Sequence, residues 1–102
     1  MQKRLNISIN NYIHFKAKYI IYESNGKGKE YYENGKLLFE GEYLNGKRNG
    51  KCKEYYDYIY GYLLQFEGEY LNGEKNGKCK EYDENGNLIF EGIYLNGIRK
   101  EI

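Results

Sequence analysis

The stretch NGKGKEYYENGKLLFEGEYLNGKR (25–48) is written again as NGKCKEYYDYIYGYLLQFEGEYLNGEK (49–75) and once more as NGKCKEYDENGNLIFEGIYLNGIR (76–99). The units are 24, 27 and 24 residues long, and self-similarity at such a period marks a repeat architecture. A unit this short cannot bury its own apolar face and must stack on its neighbours. The product is therefore an extended surface and not a deep pocket.

Each unit reads as two strands joined by a tight turn. The turn signals are the pairs Asn34-Gly35, Asn45-Gly46, Asn49-Gly50, Asn72-Gly73, Asn76-Gly77, Asn85-Gly86 and Asn96-Gly97. Both residue types tolerate the positive φ that a two-residue type I′ hairpin turn requires. The runs between them are short, poor in Ala and carry β-formers at period two, so no helix is expected. In the second strand of the unit, Leu37, Phe39, Gly41 and Tyr43 share one face and Glu40 and Glu42 the other. The same slots recur as Leu64, Phe66, Gly68 and Tyr70, and as Leu88, Phe90, Gly92 and Tyr94. Stacked units give rows of Phe, Gly and Tyr, with the Gly row expected to open a bend or groove. Lys29, Lys53 and Lys80 fall between the Glu40, Glu67 and Glu91 positions. Interleaved charges on adjacent strands can form cross-strand pairs worth about 0.2–1 kcal/mol each, which makes this a solvated ladder and not a set of catalytic carboxylates.

Residues 1–24 are read as a degenerate capping unit. Phe15-Lys16-Ala17-Lys18-Tyr19-Ile20 aligns with Phe39 to Leu44, placing Ala17 in the Gly slot, and Leu5, Ile7 and Ile9 alternate before an Asn10-Asn11 turn. Residues 100–102 form a short charged C-terminal edge, and both ends of the open sheet are liable to edge-to-edge pairing. The expected fold is all-β: a single-layer, elongated, twisted antiparallel sheet of stacked β-hairpin repeats in one domain.

Lys plus Arg number 16 against 15 for Asp plus Glu, a formal charge of +1. Duplex nucleic acid is not expected as the ligand, since that calls for a clear basic excess. Fourteen Tyr with no Trp and no Pro suit a thin sheet that is only half dry, because Tyr joins a large apolar body to a polar tip. No apolar run reaches the roughly 18 residues of a membrane span, and MQKRLNISIN lacks the apolar core of a signal peptide. A cytoplasmic setting is the expectation. Cys52 and Cys79 both stand where the first unit has Gly28. Equivalent slots of successive hairpins lie about 9.6 Å apart at about 4.8 Å per strand, beyond the ~7 Å a disulfide allows. Reduced thiols are expected.

The sequence offers no catalytic constellation. His14 is the single histidine and is placed on the polar face of the capping strand, which leaves His-containing metal clusters and nucleophile triads short of members. Gly26-Lys27-Gly28 lacks the remainder of a phosphate loop. No enzyme activity, cofactor or metal is expected.

The segment from Phe39-Glu40-Gly41-Glu42-Tyr43 through Asn45-Gly46-Lys47 to Gly50, with its copies, resembles the MORN (membrane occupation and recognition nexus) repeat. The resemblance covers residues 25–99 well and 13–24 weakly, and is closest to the bacterial toxin–antitoxin-type variant. The chain departs from the pattern in having Phe for the first Tyr, and Cys for the second Gly of Gly-x-Gly in two units. The resemblance implies stacked hairpins with an aromatic-lined groove. It also implies non-catalytic work: scaffolding, protein contact, dimerisation or contact with acidic lipid.

The second unit carries three extra residues, since Tyr31 to Phe39 and Tyr82 to Phe90 span 8 positions and Tyr55 to Phe66 spans 11. In repeat proteins insertions map to loops on one face, often the binding face, and Tyr gives rigid contact area at low entropic cost. Tyr56, Tyr58, Ile59, Tyr60 and Tyr62, with the row Tyr43, Tyr70 and Tyr94, are the candidate partner-binding residues. The leading expectation is a small inhibitor or immunity protein, antitoxin-like or anti-defence, that occludes another protein. The alternatives are a structural element that homodimerises through its edge strands and a peripheral membrane-lipid binder using Lys16, Lys18, Lys27, Lys29, Lys47, Arg48 and Lys51.

Overall fold

Period-two alternation between Asn-Gly breaks yields strands throughout. The computed structural model describes residues 7–9 and 17–100. The strands are β1 (Ile7–Ile9), β2 (Ala17–Tyr22), β3 (Lys27–Tyr32), β4 (Leu37–Leu44), β5 (Lys47–Tyr55), β6 (Leu64–Leu71), β7 (Glu74–Tyr82), β8 (Leu88–Leu95) and β9 (Ile98–Lys100). They form one sheet in sequence order, and each strand is antiparallel to the next. Among the described residues there is no helix, and the molecule extends over 52 × 32 × 26 Å. The all-β, elongated antiparallel sheet expected from the repeats is what forms.

The Asn-Gly pairs divide into three kinds. At Asn45-Gly46, Asn72-Gly73 and Asn96-Gly97 both residues have positive φ, from 50° to 88°, as the two-residue I′ turn demands. At Asn34-Gly35 and Asn85-Gly86 only the Gly is left-handed, and these close longer hairpins in which Gly35 and Gly86 donate to the carbonyls of Tyr32 and Asp83. Asn49-Gly50 and Asn76-Gly77, expected as turns, lie inside β5 and β7. There the ladder shifts register, and Gly50 and Gly77 take φ of 117° and 115°. They are β-bulges. Their Asn side chains accept from the backbone N–H of Asn72 and Asn96, fastening the next hairpin turn.

Register places three rows of side chains on one face. The first runs Glu30, Phe39, Glu54, Phe66, Glu81, Phe90. The second is a row of small residues, Gly28, Gly41, Cys52, Gly68, Cys79, Gly92. The third holds Tyr43, Tyr70 and Tyr94 with Arg48, Lys75 and Arg99 opposite them. On the Phe face the Gly row opens no groove; the groove expected there lies on the opposite face, where Gly28, Gly41, Cys52 and Gly68 line it. A Cβ added at Gly68 would stand 2.6 Å from Cys79 Cβ and 2.9 Å from Phe66 Cζ, and one at Gly92 would stand 2.7 Å from Phe90 Cζ. The glycines make room for the neighbouring Phe rings. A bulge at Glu30/Tyr31 also brings Leu38, in place of Leu37, against the core cluster.

At the N-terminal end the register corrects the alignment. Ile20 pairs with Glu30, Ile21 with Lys29 and Tyr22 with Gly28, so Ile20 takes the Phe slot and Tyr22 the Gly slot. The shift of five residues reverses the faces. Tyr19 stacks on Tyr31 at 5.0 Å between ring centroids, while Tyr22 meets Tyr43 edge-on at 5.3 Å. The expectations for Leu5, Ala17 as a side chain, His14, Phe15, the Asn10-Asn11 turn and residues 101–102 lie outside the described side chains. Cys52 and Cys79 are buried and unpaired, separated by the intervening Gly68 strand.

A Cβ at Gly68 would stand 2.6–2.9 Å from atoms of Cys79, Lys78 and Phe66, which makes the position intolerant of a side chain. Gly68→Ala overpacks the row and is expected to cost about 1–3 kcal/mol. For a domain of this size that is a fall in Tm of roughly 5–20 °C, read by circular dichroism; an unchanged Tm would refute the close-packed Gly row.

Candidate functional site

Phe39 and Phe66 are 0 % and 1 % exposed although the sheet has no second layer. The cover comes from side chains on the same face. The Arg48 guanidinium lies 3.8 Å over the centre of the Phe39 ring, Lys75 Nζ 4.2 Å over Phe66, and the Arg99 guanidinium 4.2 Å over Phe90. These are cation–π contacts. Each cation is held by carboxylates from the Glu/Phe row. Arg48 Nε and Nη2 donate to Glu30 at 2.8 Å each, Nη1 donates to Glu54 at 2.7 Å, and Nη1 also reaches the Tyr70 hydroxyl at 2.9 Å. Lys75 lies 3.3 Å from Glu81 and 4.0 Å from Glu54, and Arg99 pairs with Glu81. The tyrosines complete the lid: Tyr43, Tyr70 and Tyr94 hydroxyls donate to Glu30, Glu54 and Glu81.

Tyr70 and Tyr94 are each 8 % exposed, and their rings stand edge-on to Phe66 and Phe90. With Tyr43 half-buried against Phe39, the row offered for partner binding, Tyr43, Tyr70 and Tyr94, packs on the Phe rings, and Tyr70 and Tyr94 present little open surface. The aromatic-lined groove implied by the resemblance is likewise filled. A groove of about 560 Å³ lies on the opposite face, lined by charged residues including Lys29, Glu40, Lys51, Lys53, Glu67 and Glu69.

Burial, then the hydrogen bond to the neighbouring carboxylate, raises the Tyr43 hydroxyl well above the ordinary tyrosine range. Burial and the Glu54 charge do the same to Tyr70. Burial would raise the Glu81 carboxyl, but the Tyr94 hydroxyl and the Lys75 and Arg99 cations outweigh it and hold the group below its usual range. Burial, then the Glu54 charge, pushes the Cys52 thiol up to about 12, and burial raises Cys79. Both stay protonated at neutral pH and make poor nucleophiles. Among the described residues no group of His, Cys, Asp and Glu is arranged to hold a metal ion.

The inserted segment presents a different surface. Its hairpin is closed by Tyr56 N–H donating to the Leu63 carbonyl. Beyond that bond Tyr58, Ile59, Tyr60 and Tyr62 are 39 %, 68 %, 79 % and 68 % exposed. Tyr58 and Tyr60 contact edge-on at 5.8 Å, and Tyr62 leans on Tyr55 at 5.7 Å. Tyr56 stands apart from this group: it is half-buried, and its hydroxyl donates to the Tyr82 carbonyl as Tyr32 does to Tyr55. It belongs to the unit-to-unit stack.

The sequence reading passed over Glu30, Glu54, Glu81, Lys75 and Arg99, and it offered Arg48 as a lipid-facing cation, whereas its guanidinium lies over Phe39 and is held by Glu30 and Glu54. The signal was present, because each unit closes on a cation two residues after its last Asn-Gly and carries Glu before Tyr in its first strand.

Residues 24–45 and 75–96 match the family described as MORN repeat variant, and residues 39–57 match the family described as MORN repeat. No curated protein and no solved structure matches the chain.

The depressed Glu81 carboxyl contributes stability that is complete above the unfolded-state pKa, about 4.3, and is lost as pH falls through the lower folded value. Glu81→Gln is expected to cost about 1–3 kcal/mol at pH 7 through the lost charged partners and to show a shallower fall of Tm with pH below about 4.3 than the parent chain. Parallel Tm–pH curves would remove Glu81 from the acid-labile network.

Proposed function

We propose that this MORN repeat protein is a non-catalytic protein-binding module of the inhibitor or immunity kind, which occludes the working surface of another protein. MORN repeats are binding repeats for proteins and membranes and are not a catalytic type. The observation that carries the proposal is the exposure of Tyr58, Ile59, Tyr60 and Tyr62 in the single insertion that breaks the repeat. Single exposed apolar residues are ordinary, but a contiguous group of large ones marks an interaction site. Interface hot spots are rich in Tyr, which supplies area and a hydroxyl together.

The contact surface proposed is the tip of the β5–β6 hairpin, and the partner is a protein with a concave or flat apolar patch rimmed by polar groups. An anionic membrane would be met by a basic stripe, whereas here the Lys stripes of β5 and β7 each lie between Glu-bearing strands. A protein partner is thus the better supported of the two. Action in the cytosol accords with two buried thiols that form no disulfide.

Tyr58→Ala/Tyr60→Ala removes exposed side chains outside the strand ladder, so the fold is expected to hold to within about 0.5 kcal/mol per site. Affinity for a stoichiometric partner isolated from source-cell lysate, measured by calorimetry, is expected to weaken by roughly 30-fold or more. Unaltered affinity in a folded double variant would move the contact surface away from the hairpin tip.

A further inference from the structure

The face opposite the Phe row is striped by charge. On it β3 presents Lys27 and Lys29, β4 Glu40 and Glu42, β5 Lys51 and Lys53, β6 Glu67 and Glu69, β7 Lys78 and Lys80, and β8 Glu91 with Ile93. Each strand thus bears one sign, and the sign reverses at every strand, about 4.8 Å apart. The continuous row is Lys29, Glu40, Lys53, Glu67, Lys80, Glu91. These charges are not consumed laterally. Lys29 pairs with Glu23 at 3.6 Å and Glu40 accepts from the Tyr55 hydroxyl at 2.6 Å, but among the described residues no salt bridge closes between neighbours of the row. Lys53, Lys80 and Glu91 are exposed.

A row of six alternating charges has a particular symmetry. Read from its other end it has the opposite sign at every position. We infer that this face is a self-complementary docking surface for a second copy of the chain, the two sheets packing face to face about a two-fold axis parallel to the strands and lying between β5 and β6. That axis sets Lys53 over Glu67 of the second copy, Glu40 over Lys80 and Lys29 over Glu91. In the outer row it sets Lys51 over Glu69 and Glu42 over Lys78. A two-fold axis in the sheet plane but across the strands would set each strand over itself, Lys on Lys and Glu on Glu, and is excluded by repulsion. Face-to-face sheets keep their strands within about 30° of one another, which the parallel axis respects.

Six strands at about 4.8 Å by eight residues at about 3.3 Å give roughly 750 Å² of projected face per copy, close to the ~800 Å² per partner of a standard interface. A polyanion or polycation would meet repulsive stripes as often as attractive ones, so the pattern favours its own copy. This inference is independent of the hairpin-tip proposal, because it uses none of Tyr58, Ile59, Tyr60 and Tyr62.

The test is sedimentation equilibrium of the full chain at about 50 mM and about 500 mM salt, where screening shortens from well beyond a salt-bridge length to near it. A dimer at low salt that dissociates at high salt is expected. Lys53→Glu and Glu67→Lys are each expected to weaken dimerisation by at least about tenfold, since each sets like charges opposite one another twice. Mixed one to one, the two variants are expected to form a heterodimer, because the Glu of one then meets the Lys of the other at both positions. Should either variant fail to fold by circular dichroism, Lys80→Glu with Glu40→Lys tests the next pair of the same register. A monomer at low salt, a dimer indifferent to these substitutions, or a mixture that associates no better than its components would overturn the inference.

Discussion

Everything in this sheet depends on covering an aromatic ring without a second layer. A lone antiparallel sheet leaves the residues on both faces open to water, and rings left there would stabilise little. Here the cover for Phe39, Phe66 and Phe90 is a charged lid drawn from the same face: a cation above the ring, a carboxylate beside the cation and a tyrosine hydroxyl on the carboxylate. Removing charges from water is costly unless each is paired and hydrogen-bonded. That condition is met, for no buried side-chain N or O among the described residues lacks a partner. The small-residue row is the other half of the device, since only Gly or Cys leaves space for the rings to lie down.

The lid also joins the units. Arg48 closes the first unit, yet it grips Glu30 of that unit and both Glu54 and Tyr70 of the second. Lys75 repeats the bridge from Glu54 to Glu81 at 4.0 and 3.3 Å. Arginine presents a planar fork that satisfies two carboxylates at once, whereas lysine is a point charge on a flexible stem. The first boundary is accordingly the tighter of the two, and the array's cooperativity is a sum of unequal nearest-neighbour couplings.

Much of this was legible in the chain. Period two marked the strands, the Phe and Tyr slots marked the inner face, and the interleaving of Lys29, Lys53 and Lys80 with Glu40, Glu67 and Glu91 is what the ladder has. What escaped depended on contacts distant in sequence. Asn45-Gly46 and Asn49-Gly50 are the same dipeptide, and which is a turn and which a bulge is decided by the strand that pairs beside them. Glu30 follows Lys29 in the chain and so lies on the Phe face. Its role as a buried carboxylate needed Arg48, 18 residues on, to fold back over the ring. The capping unit was misaligned for a related reason. Phe15 to Ile20 imitates the local spelling of the repeat, but strand register answers to what packs against Tyr43, whose ring lies over Gly28, and Tyr22, paired with Gly28, packs there.

The insertion shows why a single-layer repeat can carry an added surface at little structural cost. Its ladder ends at the pairing of Tyr55 with Leu64, and the Tyr56–Leu63 hydrogen bond closes the hairpin before the extra residues begin. The stacking contacts of the unit also lie inside that bond, with Tyr56 bonded to the Tyr82 carbonyl and Tyr32 to the Tyr55 carbonyl. Among the described residues the outer loop is tied by Asn34, which donates to Asp57 at 2.9 Å, and by Tyr62, which leans back on Tyr55. Tyr58, Ile59, Tyr60 and Tyr62 therefore have no task in covering a Phe or fixing a register. Exposed apolar side chains without a packing role disfavour solubility and offer the fold nothing. Their concentration in the one segment that departs from the repeat is the observation on which the proposed partner contact rests.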